Sequence, residues 1–199
     1  MTADATNLLA AIRSRRTIKP KSLKPDSVDE SLVETILEAA RWAPSHGRTE
    51  PWRFVVFMGE GRRALGEAIS AGYSLDSKAQ GNYTEEAFAA ARDRVWGVPV
   101  WIAILMQPGK KPDGSRAFPE SEEICAVACA VQNLHLTACA LGLGGMWSTG
   151  NALMHAKVQE LIGVEKPSVL LGFFMLGWPL GEWPTATRKP VAEFVRWCK

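Results

Sequence analysis

The chain has 199 residues, 47% of them hydrophobic and 22% charged, with a formal net charge of +2. That size and composition suit one soluble globular domain spanning 1–199, able to bury about 70% of its unfolded surface without disulfide or metal staples. A nearly balanced charge with no long run of one sign argues against nucleic-acid binding, and no apolar run reaches the ~18 residues of a membrane span.

Residues 7–16 predict a short amphipathic helix ending in the basic cluster Arg13, Arg15 and Arg16. The basic residues follow the apolar stretch, the reverse of a secretory signal, so a cytoplasmic location is expected. "PDSVDESLVETILEAARWA" is the clearest helix, with Ser27 and Glu30 spaced as a capping box and Val28, Leu32, Ile36, Leu37 and Ala40 on the helical period. A polar loop follows, fenced by Pro44 and Pro51 and carrying Ser45, His46, Arg48, Thr49 and Glu50. "WRFVVFM" reads as a buried strand, "EGRRALGEAIS" and residues 84–95 as helices, and "VPVWIAILMQ" as a second strand. "ESEEICAVACAVQNLHLTACALG" is a long helix, apolar around most of its circumference, whose acidic start suits the positive end of the helix dipole. "LMHAKVQELIG" is a further helix and "SVLLGFFMLGW" a third strand, before a basic tail rich in turn formers. Few strands separated by pairs of helices predict an α+β fold rather than a doubly wound sheet.

"GEGRRA" follows a strand and opens a helix, but no second strand ending in an acid follows about 20 residues on, so it reads as a turn rather than a dinucleotide fingerprint. "LGLGGMWSTG" admits two readings: Gly142 as the stop of the long helix before a tight strand start, or Gly144 and Gly145 as a thinned backbone that a flat ligand approaches. Cys125 and Cys129 share a helix face, but no second ligand pair at metal spacing accompanies them, so they read as buried, reduced core residues and no metal site is expected. His135 reads as a core or interface histidine rather than a base.

"SRRTIK", "AARWAPSHGRTEPWRFVV", "ALGLGGMWSTG" and "VLLGFFMLGWP", in that order, resemble the FMN-dependent nitroreductase family, in particular its small bacterial YdjA-like branch. The resemblance implies a central, mostly antiparallel sheet flanked by helices, and a homodimer with two FMN sites at the subunit interface. It implies flavin contacts from Arg15-Arg16-Thr17, Lys19, Trp42, His46 and Trp147-Ser148-Thr149, nicotinamide contacts from Thr137 to Gly142, and a phosphate site closed by Arg188 and Lys189. Arg48, Glu50 and Ser148 depart from the family, which carries Asn, Gln and Arg there.

The residues agree with that chemistry: a dianionic phosphate calls for Arg and Lys, and a flavin ring for a flat floor and a few donors. No catalytic side chain is assigned, because the flavin performs the redox step. The implied activity is ping-pong transfer of electrons from NAD(P)H through FMN to a nitroaromatic, quinone or similar small acceptor. Flavin cleavage, dehalogenation or heterocycle oxidation on the same fold, or non-enzymatic flavin binding, are the alternatives. Acceptor-dependent NAD(P)H consumption separates the first reading from the others.

Overall fold

The segment VWIAILM contains no polar side chain, and in the computed structural model, which describes residues 4–199, it forms strand β2 (Val100–Met106), buried along its whole length. A strand buried on both faces needs a layer on each side. Strands β1 (Trp52–Met58), β3 (Gly144–Ser148) and β4 (Val169–Gly177) complete a sheet of order β1-β2-β4-β3, antiparallel throughout. Val100, Ile102, Ile104 and Met106, with Phe174 and Leu176 of β4, face helices α2 (Glu30–Ala40) and α5 (Glu120–Ala140). Trp101, Ala103 and Leu105, with Phe173 and Met175, face the other way onto α3 (Arg62–Ala79), α6 (Asn151–Met154) and α7 (Ala156–Leu161). Helix α4 (Glu85–Asp93) packs on α3, and α1 (Ala5–Ser14) on α5. This is the expected α+β arrangement. Residues 1–3 of the expected domain lie outside the described residues.

Several expectations need correction. The cap of α2 is Asp29, whose carboxylate accepts from the Ser31 N–H at 2.8 Å, and not Ser27. Asp29 stands directly before the periodic residues, so it intercepts the helix start and leaves Val28 to be buried ahead of it. The segment predicted as one helix over 153–163 breaks at His155, whose extended backbone ends α6 and whose Nδ1 accepts from Lys157 N–H to start α7. Strand β1 lies at the sheet edge, so only Trp52 and Phe57 are buried and the rest of it is half-covered or exposed.

Strand β3 is the tight strand start that one of the two readings of the glycine segment expected. Its two leading glycines have poor strand propensity, and it is held by pairing with β4 rather than by its own pattern. Gly142, at φ +78°, ends α5, and Leu143 N–H donates to Ala138 O at 2.9 Å, closing a Schellman turn.

Helix α5 buries Ala126, Val127, Ala130, Val131, Leu134, His135 and Ala138 against the sheet. Cys125 and Cys129 lie on its opposite, exposed face, contrary to the expectation that they are core residues. The helix is apolar on both sides, and only one side can meet the sheet. By length and composition α5 would suffice to cross a membrane, yet its contacts here are those of a sheet-covering helix, with 44% of its most apolar window buried.

Nothing approaches a Cβ built at Gly142, so the left-handed backbone alone opposes a side chain there. Gly142→Ala is expected to cost about 1 kcal/mol, lowering Tm by roughly 2–4 °C in a thermal melt.

Candidate functional site

The chain leaves α1 at Arg15 with extended backbone and runs alongside β3, where Thr17 forms a parallel bridge with Gly145 and Ile18 N–H donates to Gly145 O at 3.0 Å. Glycine is required for this approach. A Cβ at Gly144 would press into the Ile18 side chain, and one at Gly145 would collide with the Met175 carbonyl and the Phe174 ring. Both glycines are therefore explained by packing within the chain, which is the tight-strand reading of that segment.

Helix α5 grips the same segment from below. His135 Nε2 lies 2.9 Å from Arg16 O, and Cys139, one turn further along, meets the Arg16 backbone. The Arg16 side chain works in the other direction. Its Nε donates to Pro184 O at 2.7 Å, while Nη1 donates to the Arg13 and Arg15 carbonyls at 2.6 and 2.9 Å, capping the end of α1. Tied down in this way, the tail brings Arg188 to a cleft of about 470 Å³ lined by Ile12, Arg13, Arg15, Arg16, Ala186 and Arg188. Four of its lining residues are arginines and none is an acid. On the far side of the tail, Thr17 and Lys19 line an adjoining cleft with Ser22, Leu180 and Glu182. Ser14, Arg16, Cys139, Gly142 and Trp183 line another. The half-buried Thr137 caps α5 through its carbonyl, which accepts from Leu141 N–H. Lys189 is exposed and pairs with Glu193 at 3.1 Å.

Trp147, Ser148 and Thr149 close the same sheet edge. The register between β2 and β4 slips after Ile104, leaving Leu171 as a bulge, and its carbonyl receives Trp147 Nε1–H at 2.8 Å. Gly172, at φ +118°, makes room there, since a Cβ would press on the indole nitrogen and on Thr149.

The proline-fenced loop stands elsewhere. His46 donates from Nδ1 to Glu122 Oε2 at 2.6 Å and stacks on Phe118 at a centroid distance of 3.8 Å. Trp42 is 73% exposed, with its indole N–H on Glu38 and Arg41 against its ring. Glu122 and His135 are thirteen residues apart on α5, so at 1.5 Å per residue His46 and the Arg16 segment are separated by roughly 20 Å along the helix. The chain thus brings together Arg15, Arg16, Thr17, Lys19, Gly142, Gly144, Gly145 and Arg188, and holds His46 apart from them. Arg48 and Glu50 adopt left-handed backbone, at φ 55° and 45°, beside Gly47 at 56°. Sequence reasoning missed Pro184, whose carbonyl anchors the tail, and the Phe118–Glu122 cradle of His46. A carbonyl has no side-chain signature, and neither cradle residue lies near His46 in sequence.

The profile of the nitroreductase family matches residues 12–178, from the end of α1 to the residue after β4. The chain belongs to the nitroreductase family. It is 30% identical over 94% of its length, and 94% of the relative's, to YdjA of Escherichia coli (strain K12), whose name assigns it to the NAD(P)H nitroreductases. The crystal structure of a nitroreductase-like family protein from Bacillus cereus superposes with a TM-score of 0.78 at 25% identity, covering 100% of this chain and 99% of that one. A nitroreductase-type protein from Desulfovibrio desulfuricans, solved in complex with FMN, gives a TM-score of 0.68 at 26% identity over 98% and 96%. The tail that carries Pro184 and Arg188 lies beyond the family-matched span.

His135 is held neutral beside the arginines of this candidate site. Burial, followed by the nearby Arg15 charge, pushes it down from 6.5 to about 4, against the opposing pull of its bond to Arg16. The ring is therefore neutral and donates through Nε2, because a carbonyl can only accept. Burial pushes the Cys139 thiol up, with the Arg16 backbone, Arg15 and Arg16 opposing, so it is no activated thiolate. In the unfolded chain His135 takes up a proton near 6.5, whereas in the folded chain it does so only near 4. Its contribution is fully present above 6.5 and is lost as pH falls from 6.5 toward 4, amounting to roughly 3 kcal/mol. Urea denaturation at pH 7.5 and 4.5 should show this slope in the wild type, and His135→Phe should flatten it.

Proposed function

We propose that this protein is an FMN-dependent NAD(P)H oxidoreductase of the nitroreductase type, passing electrons in ping-pong fashion to nitroaromatic, quinone or similar small acceptors. The observation that carries the reading is the acid-free cleft where Arg13, Arg15, Arg16 and Arg188 converge beside the Gly144–Gly145 strand start. Such a cleft fits a dianionic phosphate, because charge-assisted bonds from arginine are the strong ones. FMN in the Desulfovibrio relative supports the same identification. Bound FMN would supply the hydride chemistry. Arg15 and Arg188 hold its phosphate. Arg16, three of whose side-chain bonds go to carbonyls, adds charge and fixes the tail. Thr17, Lys19, Ser148, Thr149 and the backbone of 142–145 serve the ribityl chain and ring edge, with Trp147 packed behind them. Lys189 lends field rather than a direct bond, and Thr137 to Gly142 borders the nicotinamide position.

Trp42 and His46 enter from a second copy, so the working unit is a homodimer, taken to be cytoplasmic. The exposed α5 face with Cys125 and Cys129, together with Leu8, Leu9 and Ile12 of α1, supplies uncovered apolar surface for that contact. An obligate interface buries more than ~2,000 Å².

The purified protein is expected to be yellow, or to gain flavin absorbance and thermal stability from added FMN, and to consume NAD(P)H only with an acceptor present. Arg15→Ala should weaken FMN binding about 10- to 150-fold, from the 1.5–3 kcal/mol of a charged hydrogen bond, and should leave riboflavin affinity nearly unchanged. Titrations at rising ionic strength should show the difference shrinking. Sedimentation at low micromolar concentration should give a dimer, and a flavin-loaded monomer would refute the shared site.

A further inference from the structure

Residues 15–18 form neither helix nor strand beyond a single bridge at Thr17. Their backbone is fastened at two points: Arg16 O by His135 and Ile18 N–H by Gly145 O. Cys139, one α5 turn beyond His135, lines a cleft with Arg16, so the same helix face lies along this segment. A histidine at a position 7% exposed, with its ring edge on Phe174 at 4.9 Å, carries a desolvation cost that leucine would avoid. What it offers in return is one directed N–H. Burial, and after it the Arg15 charge, keeps that ring from taking a proton.

We propose that His135 is a positioning residue for the anion cleft: its Nε2–H fixes the Arg16 carbonyl and thereby sets where the Arg15 guanidinium and Thr17 stand. This rests on the reading of the cleft as a flavin phosphate site. Arg15 reaches the cleft from a stretch of chain with no regular structure to hold it, so its aim depends on the backbone just behind it. Removing the donor leaves a part-buried carbonyl without its partner, and the segment shifts to satisfy it. Misplacement by a fraction of an ångström weakens a directed guanidinium–phosphate contact, whereas a ligand lacking the phosphate is indifferent to it.

The test is fluorescence titration of FMN and riboflavin into the wild type, His135→Phe, His135→Gln, Arg15→Ala and the His135→Phe/Arg15→Ala double variant, with thermal melts alongside. His135→Phe keeps the ring volume and removes the donor, and should weaken FMN about 10-fold while changing riboflavin less than about 2-fold. Gln carries an N–H of similar reach and should restore most of the FMN affinity. In the Arg15→Ala background the His135→Phe effect on FMN should fall below about 2-fold, because the contact it aims is already gone. If phenylalanine prevents folding, His135→Leu takes its place in the same comparison. Equal losses for both flavins, unchanged FMN affinity, full additivity with Arg15→Ala, or no rescue by Gln would each overturn the proposal. A wild type that binds neither flavin would instead defeat the flavin reading itself.

Discussion

Helix α5 is a single rod asked to serve two surfaces. One stripe, from Ala126 to Ala138, must bury against β2 and β4, because those strands are apolar on both faces and would otherwise meet water. The opposite stripe remains apolar and uncovered, so the protomer is left with a surface it cannot bury alone. The helix also sets the spacing of the proposed site. Glu122 near its start holds His46, and His135 near its end holds the Arg16 carbonyl. A rigid element of this length keeps His46 and the Arg16 segment apart within one chain, and in the proposed dimer association across its open face supplies what each lacks.

Around that rod, the proposed binding residues are placed mainly by backbone contacts. Arg16 is held through its own carbonyl and in turn holds three others with its side chain. Trp147 is oriented by a carbonyl exposed at a β-bulge, and Gly172 makes room for it. Arg15 is different, standing in the cleft with other cations and no acid. Clustered like charges of this kind raise the energy of the empty site and are relieved by an anion. Carbonyl contacts shape the pocket, and the guanidinium groups give it its charge preference.

Much of the fold was legible because burial dictates pattern. VWIAILM and VLLGFFMLG are apolar enough to be strands covered on both faces, and the apolar girth of α5 announced a central helix. β3 was legible only as one of two readings, since Gly-Gly-Met-Trp-Ser has no alternation and acquires its strand form from β4. The start of α2 was misplaced by two residues because Ser27 and Asp29 are both good caps, and only packing of Val28 decides between them. At the site, the arginines were readable from charge and motif. The contacts of His135 and Pro184 were not, as His135 bonds a carbonyl 119 residues away and the Pro184 carbonyl accepts from a side chain 168 residues away. Two glycines that suggested ligand approach turned out to be needed by neighbouring chain.

The tie between Arg16 and Pro184 spans 168 positions. Contacts of such separation close large loops and tend to form late in folding. During synthesis, which proceeds from the N-terminus, Arg13, Arg15 and Arg16 emerge well before Arg188, so the four-arginine cleft has no counterpart in a nascent chain that has not yet reached the tail. A translation product that stops before Pro184 presents its early arginines to solvent without the wall that gathers them.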